Sequence, residues 1–99
     1  MKLQMHSVHF DADRKLLDFI QDKADKLDLF YDRITEGEVF LRLNNEGIKN
    51  KTVEIKLMVP GAILYSSENA GTFEAAADEA LEALRQQIKK YKEKQKAHH

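Results

Sequence analysis

A chain of 99 residues with 42% hydrophobic composition can close one core but not two, so a single domain over residues 1–99 is expected. The absence of cysteine excludes a disulfide framework and thiol chemistry. A formal net charge of −1 argues by itself against nucleic acid, so such a partner has to be inferred from how the charge is distributed.

No apolar run approaches the roughly 18 residues of a membrane span, and no apolar opening follows a basic start. No membrane partner is therefore expected, and a cytosolic location is. Lys2 to His9 reads as a first strand. Leu3 and Met5 share one face before the apolar positions shift to Val8 and Phe10, which predicts a bulge. His6 and His9 are potential metal ligands, but three residues apart on a strand they point to opposite faces, so no metal is expected.

Asp11 or Asp13 can cap the next helix, and Asp13 is preferred because the periodic apolar positions start at Leu16; Leu16, Ile20, Ala24, Leu27 and Tyr31 face inward, with Phe19 and Phe30 at the margin. Asp18, Asp22, Asp25 and Asp28 lie away from that face. At about 100° per residue from Leu16, Lys23 falls near ~340° and Lys26 near ~280°, at the edge of the buried arc beside Phe19 and Phe30. Lysine stems lying on apolar surface are the ordinary account of such positions. The helix is nevertheless acidic on its exposed side and basic where it would meet a neighbour.

Alternation follows Tyr31-Asp32-Arg33-Ile34. Val39, Leu41 and Leu43 share one face of a second strand, and Glu38, Phe40 and Arg42 the other. Asn44-Asn45-Glu46-Gly47 signals a turn. In the third strand Val53, Ile55, Leu57 and Val59 point inward, while Thr52, Glu54, Lys56 and Met58 point outward. Pro60-Gly61 closes it, Ile63 to Ser66 makes a fourth strand, and Ser67 to Gly71 reads as a polar connection.

Thr72 then caps the longest helical signal in the chain. Phe73, Ala77, Ala80, Leu81, Leu84, Ile88 and Tyr91 recur at three- and four-residue steps and form one apolar stripe. Arg85, Lys89, Lys92 and Lys96 border it. Residues 85–99 hold six of the sixteen Lys/Arg and one of the seventeen Asp/Glu, a net +5, so the remaining 84 residues carry 10 against 16, a net −6. Lysines near a helix C-terminus complement its dipole, but solubility alone does not require so sharp a sorting, which points to a polyanion.

The order strand, helix, three strands, helix defines an α+β domain, β-α-β-β-β-α, with both helices packed on one face of a four-stranded sheet. A strand of six or seven residues spans about 20 Å, whereas Thr72 to Ala97 as a helix would span about 39 Å. The basic end is therefore expected to project from the domain from about residue 89.

The chain resembles the bacterial ribosome hibernation promoting factor family, which includes ribosome-associated translation inhibitors. The resemblance rests on Lys23-Ala24-Asp25-Lys26-Leu27 leading into Phe30-Tyr31-Asp32-Arg33-Ile34, and on Leu84-Arg85-Gln86-Gln87-Ile88-Lys89-Lys90-Tyr91-Lys92-Glu93-Lys94. The first segment is similar to a K-x-x-K-L-x-x-Y/F-x-D-R-I signature. Two positions depart from the family pattern: Gly71-Thr72-Phe73 replaces an acidic-Met-Tyr entry to the last helix, and Ser7 stands where glycine is common.

The resemblance implies a fold similar to double-stranded-RNA-binding domains. It also implies binding to the small ribosomal subunit, in the channel for messenger and transfer RNA, through 16S ribosomal RNA. By position, the matching basic residues are Lys23, Lys26, Arg33, Arg85, Lys89, Lys90, Lys92 and Lys94. The implied protein is a non-enzymatic translation inhibitor without cofactor or small-molecule substrate, monomeric when free. A protein-interaction module setting the basic helix against an acidic partner is the alternative from another class. An enzyme has the least support, because the sequence offers no phosphate-cradling glycine loop, metal-ligand cluster or nucleophile with a base.

Overall fold

The computed structural model describes residues 1–44 and 47–96; Asn45 and Glu46 of the expected turn, and Ala97, His98 and His99, lie outside the described residues. Six elements follow in order: β1 (Lys2–Val8), α1 (Arg14–Phe30), β2 (Glu36–Leu43), β3 (Lys51–Val59), β4 (Ala62–Ala70) and α2 (Phe73–Lys96). The strands form one sheet in the order β1-β2-β3-β4, with β1 parallel to β2 and the other pairs antiparallel. A parallel pair needs a crossover, which α1 supplies. Between β3 and β4 the Val59↔Ala62 pairing leaves a two-residue turn, in which Pro60 pre-sets φ and Gly61 takes φ +81°.

Alternation decides which face of the sheet is covered. Val39, Leu41, Val53, Ile55 and Leu57 are completely buried, whereas Glu38, Phe40, Arg42 and Glu54 on the other face are half-exposed. Against the covered face α1 sets Leu16, Ile20, Ala24 and Leu27, and α2 sets Phe73, Ala77, Ala80, Leu84 and Ile88. Ala76, outside the stripe read from the sequence, is buried as well. Both helices begin at the expected caps. The Asp13 carboxylate accepts from the Leu16 amide at 2.8 Å and the Thr72 hydroxyl from the Ala75 amide at 3.1 Å, each satisfying a donor the first turn leaves open.

Three local expectations are corrected. The pairing of β1 with β2 runs unbroken from Lys2↔Glu36 to Val8↔Arg42, so the apolar shift is not a bulge. It arises at His9, whose φ of +67° turns Phe10 onto Phe73, ring to ring at 5.0 Å. The fourth strand does not stop at Ser66: Ser67, Glu68, Asn69 and Ala70 stay paired with Glu54, Val53, Thr52 and Lys51. Thr52 points to the open face as expected, opposite Arg42 and Asn69, but it is buried there rather than exposed. Its hydroxyl accepts from Asn44 Nδ2 and donates to Asn69 Oδ1, both at 2.6 Å, so side-chain bonding across three strands overrides the weak strand preference of asparagine.

On the open face His6 stacks on Phe40 at 4.8 Å and its Nε2 lies 3.0 Å from Glu38. At the β4 side of the sheet, Gln87 donates to the Tyr65 carbonyl at 2.7 Å, and the Tyr91 hydroxyl donates to the Pro60 carbonyl.

Among the glycines the tightest surroundings are those of Gly37 in β2, which pairs with Leu3 and Leu57. A Cβ there would stand 2.6 Å from Leu3 Cδ2, 2.8 Å from Leu57 Cδ2 and 3.2 Å from the Lys56 carbonyl oxygen. Leu57 is completely buried and cannot withdraw freely. Gly37→Ala is therefore expected to destabilise the domain by about 1–3 kcal/mol, the usual cost of overpacking, as a lower midpoint in urea unfolding with an unchanged slope.

Candidate nucleic-acid interface

The two helices run in the same direction. Contacts advance along both together, from Phe10 on Phe73, through Lys23 Nζ at 2.9 Å from Asp78, to Phe30 beside Arg85 and Lys92. The C-terminal end of α1 thus comes to lie against the basic half of α2. In its last turn α1 has no basic residue of its own, and its final carbonyls carry the negative end of the helix dipole. Lys92 answers that charge by donating from Nζ to the Phe30 carbonyl at 3.1 Å.

Phe30 is the pivot of the site. Lys92 Nζ lies 4.6 Å and Arg85 Cζ 5.0 Å from the centroid of its half-buried ring. Such contacts contribute about 0.5–1 kcal/mol each at exposed sites. Beside it Tyr31 is buried and meets Tyr91 edge-on at 6.2 Å. Burial, aided by Tyr91, pushes the Tyr31 phenol above its ordinary range, so it is neutral near pH 7.

Two cavities share Phe30 and Arg85. One, of about 300 Å³, is completed by Gln86, Lys89, Lys92 and Glu93. The other, of about 250 Å³, is completed by Lys23, Lys26, Leu27, Asp78, Leu81 and Glu82. Together they form a groove along the helix seam that gathers five of the eight basic residues singled out in the sequence: Lys23, Lys26, Arg85, Lys89 and Lys92. Arg33, Lys90 and Lys94 are exposed but line neither cavity.

Carboxylates also stand in the groove. Asp78 pairs with Lys23, and Glu82 lies 3.8 Å from Arg85. Periodicity assigned the carboxylates of α2 no role, and it placed Phe30 at the margin of a stripe. The signal for Phe30 was its position beside Lys23 and Lys26 at the edge of the buried arc. Its meeting with Lys92, 62 residues away, was not visible.

Ile88 is buried, Tyr91 is tied to Pro60 and Lys92 to Phe30, so the helix remains attached beyond residue 89 and through Lys92. The molecule measures 48 × 24 × 18 Å, the long dimension of an elongated domain.

Fold and groove together define a small α+β domain with a cation-lined seam between parallel helix ends. Residues 3–96 match the family described as Sigma 54 modulation protein / S30EA ribosomal protein, and the chain belongs to that family. Among similar proteins, a ribosome hibernation promotion factor of Deinococcus radiodurans is 30% identical over 90% of this chain, which spans about half (48%) of that relative's length. A ribosome hibernation promoting factor of Pseudomonas putida is 28% identical, with 98% of this chain and 92% of the relative covered. A solved ribosomal subunit interface protein from Coxiella burnetii superposes with a TM-score of 0.84 at 21% identity, covering 93% of this chain and 98% of its own, and shares the fold.

The two lysines at the helix end are structurally unequal, although the sequence places both outside the core. Lys89 is exposed, while Lys92 is half-buried and bonded to Phe30. In urea unfolding, Lys89→Glu should leave stability within about 0.5 kcal/mol. Lys92→Glu should cost about 1 kcal/mol or more, because it removes a charged donor from the end of α1 and puts a like charge there.

Proposed function

We propose that this chain is a ribosome-binding hibernation factor, acting in the cytoplasm in stationary phase or under stress. It occupies the channel for messenger and transfer RNA on the small ribosomal subunit, inhibits translation and preserves inactive ribosomes. The observation that carries this reading is the gathering of Lys23, Lys26, Arg85, Lys89 and Lys92 around one seam by two parallel helices. Membership of the family and the names of its relatives support the ribosome as partner.

The mechanism is occupation of a site rather than catalysis. Ammonium and guanidinium groups on two elements reach phosphates on different stretches of 16S ribosomal RNA, displacing counterions and bridging the RNA. Arg33, Lys90 and Lys94, exposed outside the cavities, are proposed as further phosphate contacts beyond the groove. Shape and charge supply recognition, as is usual for structured RNA.

Two measurements test this reading. Affinity for purified small subunits should fall steeply with salt, with a log-log slope of several units, given about −0.9 per phosphate contact on duplex and about −0.7 on single strands. A flat salt response would remove the phosphate account.

The second compares two double variants that remove equal charge. Lys23→Ala with Lys26→Ala should weaken subunit binding at least tenfold, whereas Lys49→Ala with Lys51→Ala should change it less than twofold. The latter pair flanks the segment next to Gly71, at the other end of α2 from the groove. Equal losses would mean long-range attraction without a located surface.

A further inference from the structure

We propose that the cavity at Phe30 receives one unpaired nucleobase of the bound RNA, which stacks on the Phe30 ring while Arg85, Lys89 and Lys92 hold the adjoining phosphates. The inference rests on the reading of the chain as an RNA-binding protein and adds a subsite to it. A surface that meets phosphates alone needs cations and no aromatic floor. Here the ring stands half-buried between two cavities, with Arg85 and Lys92 over it. A flat π-system joined through a sugar to a negatively charged phosphate is the chemistry that satisfies both features, and a nucleotide has it.

The larger cavity, at about 300 Å³, lies at the lower end of small-ligand sites and suits a single nucleotide rather than a helix. Gln86 and Glu93 on its wall offer polar groups to the edge of a base. Arg85, which covers the ring at 5.0 Å, has Glu82 at 3.8 Å as a weak second partner. A charge-assisted bond to phosphate is stronger than an exposed cation–π contact. RNA therefore draws the guanidinium off the ring, and the base takes the vacated face.

The test uses the full chain in three forms: wild type, Phe30→Leu and Phe30→Tyr. Each is titrated with small ribosomal subunits at several salt concentrations. Each is also titrated with a short single-stranded RNA carrying one 2-aminopurine, whose fluorescence is quenched by stacking. Phe30→Leu should lose about tenfold in affinity at every salt concentration with an unchanged salt slope, and should fail to quench. Phe30→Tyr should keep both affinity and quenching.

Wild-type affinity in Phe30→Leu, with binding still lost in Lys23→Ala/Lys26→Ala, would overturn the subsite and leave the RNA surface standing. A reduced salt slope in Phe30→Leu would overturn it as well, since the ring would then act by positioning Arg85 and Lys92. Displacement of wild type from RNA by polyglutamate as readily as by competitor RNA would assign the cavity to an acidic protein. Absence of subunit binding by wild type would remove the underlying reading together with the subsite.

Discussion

Closure of the α1 C-terminus by a lysine from α2 is the contact on which the arrangement of this domain turns. A helix that ends in Leu27-Asp28-Leu29-Phe30 has no cation to set against its own terminal carbonyls. The partner arrives from the other helix, and this is possible because the helices are parallel. The parallel relation follows from the sheet: α1 is the crossover that makes β1 parallel to β2, and two hairpins then return the chain to the same end before α2 begins. Topology thus places the basic half of one helix beside the negative end of the other. The charge sorting in the sequence accordingly serves the fold at Lys92 as well as the groove.

That double service separates the basic residues into kinds. Lys92 and Lys23 are engaged within the protein, by the Phe30 carbonyl and by Asp78. Lys26 and Lys89 are exposed at the groove, and Arg85 lies between these cases, over an aromatic ring and near a carboxylate. A polyanion entering the groove therefore meets some charges that are held in place and others that are free to reorient. Held charges fix geometry at little entropic cost, and mobile ones adapt to phosphate positions. The carboxylates keep the seam from being uniformly positive, so shape as well as charge governs what fits.

Much of the fold was legible because it is written at short range. Period-two alternation identified the covered faces of β2 and β3, and Asp13 and Thr72 marked both helix starts within a single turn. The apolar stripes gave the packed sides of both helices. What could not be read depends on partners far away in sequence. The polar end of β4 is a strand because β3 runs beside it, and Thr52 is buried on the open face because Asn44 and Asn69 close over it. The apolar shift after β1 had two local explanations, a bulge or a left-handed residue, and periodicity does not distinguish them. For the site the same limit holds. The rows of lysines were visible on each helix, but the offset that brings Phe30 to Arg85 and Lys92 is a property of the packed pair.

The attachment of α2 along β4 bears on self-association. β4 is a nine-residue strand at the border of the sheet that exposes its own Ile63 and Tyr65, a combination that invites pairing with a strand from another molecule. The carbonyl of Tyr65, and that of Pro60 at the turn leading into the strand, already accept from Gln87 and Tyr91. An incoming strand would have to break those bonds and lift α2 from the body before it could zip along the border. The helix that carries the basic groove therefore also guards the β4 border of the sheet against accretion.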